Sequence, residues 1–483
     1  MKRALPLLFA LLAGCSLAPK YTPPTIELPE AYRTAFDPAG DARWKPATPG
    51  DALPRGTWWT IFDDATLDAL QADALAANQE LAVAAANLRQ SRAARDAAEA
   101  ARLPRVDVNA AAARGQPSQV APGLPADIRI PSYTVYRANL QAGYELDLFG
   151  RLSDGARAAG ADAEAQGALY YAVLLSVHAD VAQNYFLLRQ AEAELAVELK
   201  SLETRREAVE LLEKRVAAGD LSDFDLARTR AEFETARAET IALERRAAGF
   251  INALAFLTGR APADFTVPTG VLPTALPAVP AGLPSVLLER RPDIAAAERR
   301  VMAANARIGV ARAAFYPILN LTAGFGTEAS ELGDLFQWGS RTWALGPLAG
   351  GLLVAPLFDG GRNQAGLDSA LARLDAEIAS YRQSVLGAFR EVEDALVGLD
   401  TLARQSVAIA NAREAAERAY AVARARYDAG QVAYLDVLDA RRTLVVVRRN
   451  EAALSGERAL TTVALVRALG GGWNATTDDA PAL

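Results

Sequence analysis

Two stretches of this chain resemble one another at a spacing of about 210 residues, and that repeat limits the possible folds more than any other feature. Arg215, Ala218 and Gly219, followed by Asp225, recur as Arg426, Ala429 and Gly430, followed by Asp436, an offset of 211. Leu148-Phe149 recurs as Leu357-Phe358 at an offset of 209, with Gly150-Arg151 answered by Gly361-Arg362. Pro104 recurs as Pro317, at 213. Solenoid units are much shorter, on the order of 20–50 residues. The spacing therefore predicts one large module, duplicated, with its copies packed side by side.

The contents of each copy are long helices and a few strands. Leu174, Val181, Leu188, Leu195, Leu202, Val209 and Val216 fall at intervals of seven, six heptads without a break. Such a seam imposes a left-handed supercoil. In the second copy, apolar residues from Leu367 to Leu402 alternate steps of four and three. A helix from about Arg151 to Ala218 would span roughly 100 Å at 1.5 Å per residue. It must pack on other helices along its length. Each long helix stops at a glycine, Gly219 or Gly430, and a second helix is expected from about Ser222 or Val432. Glycine just past a helix end suits the left-handed cap, and Ser222 with Asp225 reads as an N-terminal cap pair.

Four segments show a period of two. In Arg137 to Phe149, Ala138, Leu140, Ala142, Tyr144, Leu146 and Leu148 alternate with Arg137, Asn139, Gln141, Gly143, Glu145 and Asp147. Val106 to Arg114 and Leu319 to Phe325 repeat the pattern, and Trp343 to Phe358 blurs it with glycine and proline. A soluble sandwich would also use such strands, but nothing remains here to form its second sheet. Tilted strands of about 9–11 residues are long enough to cross a bilayer, apolar face to lipid and polar face to water. Open sheet edges are not tolerated in lipid, so several copies must close one barrel: eight strands in a dimer, twelve in a trimer, sixteen in a tetramer. A conducting pore favours three or four copies, because barrels of about eight strands are filled by their own side chains.

Composition narrows the chemistry. One histidine, one cysteine and two methionines leave little room for metal or thiol chemistry, and a net charge of −7 without a strong basic cluster gives no sign of nucleic acid. There is no nucleotide-binding loop or catalytic triad, and His178, inside the heptad-bearing helix, reads as a packing residue. The chain is expected to be no enzyme and to need no cofactor. The only cysteine, Cys15, ends an export signal. Lys2 and Arg3 precede an apolar run from Ala4 to Leu12, too short for a permanent span. Residues 1–14 read as a signal peptide, 15–56 as an extended tether, 57–267 and 285–472 as the two repeats, 268–284 as a stiff proline-rich linker, and 473–483 as a tail. Trp58, Trp59 and Phe62 mark the start of the packed part.

Three motif groups carry a family resemblance. The most specific runs from Leu288-Glu289-Arg290-Arg291-Pro292-Asp293-Ile294 through Ala297-Glu298, Ala303-Ala304-Asn305 and Ile308-Gly309-Val310-Ala311 to Phe315-Tyr316-Pro317. The second is Trp58-Trp59, Phe62-Asp63, Leu67, Leu70 and Asn78; the third is Arg426-Tyr427, Gly430, Tyr434-Leu435, Leu438-Asp439-Ala440 and Arg442. With them the chain resembles the TolC-like outer-membrane efflux factors, in the lipoprotein branch paired with resistance-nodulation-division pumps. Leu12-Ala13-Gly14-Cys15 resembles a lipobox, which implies acylation of Cys15, and Ser16 after it implies delivery to the outer membrane. The resemblance implies a homotrimer, mainly α with a membrane β part: long antiparallel helical hairpins, and four transmembrane strands per chain joined in one twelve-stranded barrel above a periplasmic tunnel. It places a periplasmic aperture at Leu435, Asp439 and Arg442, with Asp436 as an added negative charge. It places contacts to an adaptor protein at the tips, Gly219, Leu221 and Phe224 on one hairpin and Gly430, Val432 and Tyr434 on the other.

The expected function is a passive duct that exports drugs or other small solutes for an inner-membrane pump and a periplasmic adaptor. The same duct could serve a type I protein secretion system. A surface coiled coil or adhesin is the reading from another class, and the duplicated hairpins argue against it.

Overall fold

The computed structural model describes residues 16–26, 56–118, 130–273, 290–345 and 352–471. Cys15, the signal peptide 1–14, most of the tether and linker, Leu288-Glu289 and the tail 473–483 lie outside the described residues.

In chain order the main elements are α1 (Ala65–Ala77), α2 (Gln79–Ala100), β1 (Arg105–Gly115), β2 (Tyr133–Leu146), α3 (Arg151–Ala217), α4 (Asp223–Leu257), α5 (Pro292–Ala313), β3 (Ile318–Ala329), β4 (Arg341–Leu345), β5 (Leu352–Val354), α6 (Arg362–Asp428) and α7 (Tyr434–Ala468). The duplication is visible in the lengths. α3 and α6 each have 67 residues, α4 and α7 each have 35, and α2 and α5 each have 22. All four helix boundaries of the first hairpin map onto the second at an offset of 211.

Two compact units emerge, and each draws on both repeats. The first holds the described parts of 1–24, 88–166 and 297–381. Its sheet is an antiparallel meander, β1-β2-β3-β4, with β5 also paired to β3. The apolar residues read from the alternation fall in register across it. Val108 pairs with Leu140, Leu140 with Phe325, and Phe325 with Trp343. Beside the sheet, alanines of α3 (Ala156, Ala158, Ala163, Ala165) and of α5 (Ala303, Ala304, Ala306) are buried. Arg307 pairs with Asp162 and Arg299 with Glu164 across this contact.

Two strand expectations are corrected. β2 ends at Leu146, not Phe149. Asp147 turns away to cap α3, its carboxylate accepting from the N–H groups of Leu152 and Ser153 at 3.1 and 2.8 Å. The fourth strand comprises two short segments, β4 and β5, on either side of residues 346–351. The second helix of the second hairpin begins at Tyr434, two residues after the expected Val432.

The second unit holds the described parts of 25–87, 167–296 and 382–483. Its core joins Trp58, Trp59, Phe62 and Leu67 to Val181, Tyr185, Phe186 and Leu188 of α3, Leu254 of α4 and Val463 and Val466 of α7. His178 is buried within this unit, its ring 4.4 Å from Trp59 and its Nδ1 2.6 Å from Gln71 Oε1. Burial without a charged partner holds its pKa down, to about 4. The Arg291-Pro292-Asp293 motif is a clasp. Arg291 donates through Nε and Nη2 to both carboxylate oxygens of Asp293, and through Nη1 to Glu391 Oε2 at 2.6 Å and to Ala468 O at 3.0 Å. One guanidinium thereby ties the start of α5 to α6 and satisfies a carbonyl at the end of α7.

Candidate functional site

The sheet is one candidate surface. Val106, Val108, Leu140, Phe325, Trp343 and Leu345 share one face, and all are exposed in the single chain. On the opposite face Arg137 donates to Glu328 across the β2–β3 ladder at 2.7 Å, and Asn109 approaches Gln141 at 3.4 Å. A sheet with one bare apolar face and one hydrogen-bonded polar face is stable where lipid meets the first and water the second. Among the described residues the outer edges of β1 and of β4 and β5 have no strand partner within the chain. Strand edges in lipid must be paired. No described helix is long and apolar enough to cross a membrane.

The hairpin tips form a second surface. Gly219 has φ +79° and Gly430 φ +69°, where a side chain would be strained. Both close a Schellman turn. Gly219 N–H donates to Val216 O and Asp220 N–H to Arg215 O, each at 2.9 Å; Gly430 and Gln431 repeat this to Tyr427 O and Arg426 O at 2.8 and 2.9 Å. The next helices are fastened differently. Ser222 Oγ accepts from Asp225 N–H at 3.4 Å and donates to its carboxylate at 2.9 Å. At the matching place in the second hairpin stands Ala433, whose N–H donates to Asp436 Oδ2 at 3.1 Å but whose methyl accepts nothing. Of the six tip residues singled out in the sequence, Phe224, Gly219 and Gly430 are exposed, and Leu221, Val432 and Tyr434 are partly buried. Tyr434 packs on Tyr427 at 5.0 Å, and Arg215 Nη1 reaches Tyr427 OH at 3.4 Å, which joins the end of α3 to the end of α6.

The third surface is one stripe of α7. Val437, Leu438 and Leu444 are buried, while Leu435, Asp439, Arg442 and Val446 are exposed at i, i+4, i+7 and i+11. That spacing is one helical face. Among the described residues the carboxylate of Asp439 and the guanidinium of Arg442 have no side-chain partner, so the local (i, i+3) pair that their spacing permits does not form. Asp436 also has an exposed carboxylate, engaged with the Ala433 N–H. The sequence reading missed Arg441, one residue away. Arg441 donates to Tyr420 OH at 3.1 Å, to Lys200 O at 3.3 Å and to Thr204 Oγ1, which binds α7 to both α6 and α3. Only its neighbourhood in the third motif group hinted at a role.

A lipid-facing sheet with open edges, attached in sequence to paired helical hairpins, defines an outer-membrane channel subunit. The outer membrane efflux protein family matches residues 70–260 and again 283–471, once in each copy of the repeat. The chain belongs to that family. It is 36% identical over 478 residues to the toluene efflux pump outer membrane protein TtgI of Pseudomonas putida, covering 98% of each chain. It is 33% identical over 477 residues to the cation efflux system protein CusC of Escherichia coli, covering 98% of this chain and 99% of the relative. It superposes on the crystal structure of the open state of the Neisseria gonorrhoeae MtrE outer membrane channel with a TM-score of 0.81 at 32% identity, over 95% of this chain and 98% of the other. The protein is thus an outer-membrane channel component of an efflux system, passive and not an enzyme.

Proposed function

We propose that this chain forms, as a homotrimer, the exit duct of a three-part efflux assembly with a periplasmic adaptor and an inner-membrane resistance-nodulation-division pump. The observation that carries this is the five-segment meander with an exposed apolar face and, among the described residues, two free edges, which one chain cannot hold in lipid. Three copies would supply twelve strands, enough to leave a lumen. The cargo is drugs or other small solutes. The names of the relatives span an organic solvent and cations, so selection among cargoes belongs upstream of the duct.

In this reading residues 1–14 are removed, Cys15 is acylated and anchors the mature chain, and the body reaches from the outer membrane into the periplasm. The exposed stripe Leu435, Asp439 and Arg442, with Asp436, forms the periplasmic aperture. Three copies of Asp439 related by symmetry would repel one another and favour cations. Phe224 and Leu221 on one tip, and Val432 and Tyr434 on the other, meet the adaptor beside Gly219 and Gly430.

The test is retention of a fluorescent efflux dye in cells lacking the gene. Higher retention, restored by the intact gene and not by a variant carrying Phe224→Asp that still reaches the outer membrane, supports both the duct and its tip contacts. Unchanged retention across a panel of dyes and drugs, with altered secreted protein, would replace small-solute efflux by protein secretion.

A further inference from the structure

The repeat also predicts how neighbouring copies meet, an inference that rests on the multi-chain barrel proposed above. Within one chain, the β2–β3 joint is closed at its helix end by two rings. Phe149, three residues past β2, stacks on Tyr316, two residues before β3, with centroids 4.5 Å apart and planes at 23°. The last strand pair above them is Leu146 with Leu319.

Both rings have counterparts in the other copy of the repeat. Phe149 corresponds to Phe358 at the offset of 209. Tyr316 corresponds, through the shift of 213 that relates β1 to β3, to Leu103, again two residues before its strand. The stacked pair is partly exposed, Tyr316 at 42%, and the counterparts are barer: Leu103 is 66% exposed, Leu357 98% and Phe358 92%. Leu357 and Phe358, adjacent and almost fully exposed, form an apolar patch that calls for a partner. Phe358 follows β5 and Leu103 precedes β1, so they belong to the two edges that no described strand covers.

We propose that Phe358, with Leu357, of one copy packs on Leu103 of a neighbouring copy, at the foot of a β5–β1 joint that repeats between chains what β2–β3 does within one. The strand directions fit. β1 and β3 run the same way, as do β2 and β5, so β5 against β1 is antiparallel like β2 against β3. The faces fit too. Leu319, in register with position 353, pairs with Leu146 on the apolar side, and Val108 sits opposite Leu140 on that same side. Below the joint, residues 88–100 of α2 and 362–380 of α6 are largely exposed. Their counterparts, α5 and the start of α3, pack together within the chain.

The test uses full-length protein in isolated outer membranes and a short bismaleimide. Cys15 is the only native cysteine, and acylation would block its sulfur, leaving introduced thiols as the reactive ones. Leu103→Cys combined with Phe358→Cys is expected to convert most of the chain into covalent dimers and trimers, while either variant alone stays monomeric on a denaturing gel. Phe149→Cys with Tyr316→Cys is the positive control and links within one chain, without a gain in mass. A trimer by light scattering, with the control linked and no product between chains from the first pair, overturns this contact and leaves the trimer standing. A monomer by light scattering, with no product, overturns the barrel reading and this inference together.

Discussion

Ser16 Oγ donates to Asp154 Oδ1 at 2.8 Å, so the residue immediately after Cys15 is fixed to the first turn of α3. Asp154 is fully buried and also receives Arg157. The chain beyond Ser16 is held along α5: Arg312 donates to Leu17 O at 3.0 Å, Asn305 to Pro19 O at 2.8 Å, and Tyr21 OH to Glu298 at 3.2 Å. Gly309 explains its place in the motif. A Cβ there would stand 2.0 Å from Asp154 Oδ2 and 2.8 Å from Ala18 N. Gly309→Val and Asp154→Ala are therefore expected to lift this segment. Limited proteolysis should cut within residues 16–26 faster in both variants than in the parent; equal rates would show that the segment is held elsewhere.

Removal of a charge from the proposed aperture should widen or loosen the duct. Asp439→Ala and Arg442→Ala are each expected to raise the single-channel conductance of purified protein in a planar bilayer. Asp439→Ala should also lower cation preference, since it would remove one carboxylate per copy from the proposed ring. Unchanged conductance in both variants would remove the aperture from this stripe of α7.

His178 makes stability depend on pH in a defined window. Its folded pKa, about 4, lies below the unfolded value of about 6.5. Above pH 6.5 the imidazole is neutral in both states and has no effect. As pH falls from 6.5 to 4 the unfolded chain binds the proton first, and stability is lost, by up to about 3 kcal/mol. The melting temperature should fall over that window, and less steeply in His178→Leu. The variant starts from a lower value because the buried Gln71 Oε1 loses the imidazole, while its Nε2 keeps the carbonyl of residue 178.

Glu198 works in the opposite sense. It is buried on α3, and Oε2 has no hydrogen-bond partner. Burial, then the adjacent Glu239, raise its pKa, outweighing Arg205 and Arg449. A carboxylate with a raised folded pKa costs stability while ionised in the folded state, and that cost disappears as pH falls below the unfolded value. Glu198→Gln should therefore raise the melting temperature near pH 7.5, and the gain should vanish on acidification. Arg449 keeps Glu239 at 3.0 Å in the variant. A lower melting temperature at neutral pH would mean that the Arg449 contact outweighs burial.

The parts of the fold governed by short-range rules were legible in the sequence. Gly219 and Gly430 announced their caps because few residues tolerate the left-handed conformation, and the period of two in β2 predicted the face that Leu140 and Phe325 share. The heptad line was legible, yet only Val181 and Leu188 on it are fully buried; Leu195, Leu202, Val209 and Val216 are partly exposed in one chain. Contacts between residues far apart in the chain were not legible. Nothing local in the sequence joins Ser16 to Asp154 or Arg441 to Thr204, because each depends on which helices pack together. The end of β2 was misread for a related reason. Leu148 continues the alternation, but the cap made by Asp147 ends the strand.

The matched lengths of the hairpins restrict how such a protein can change over time. Arg215 and Tyr427 meet near the ends of two helices of equal length, 67 residues each. Adding one turn to α3 alone would slide its tip about 5.4 Å past that of α6. It would also take every ion pair between α3 and α4 out of step. Insertions in these helices are therefore tolerable only as coordinated sets, while insertions outside the hairpins can come one at a time. Length variation among descendants of this chain should concentrate outside the hairpins, and where the hairpins do lengthen, both copies of the repeat should record the same event.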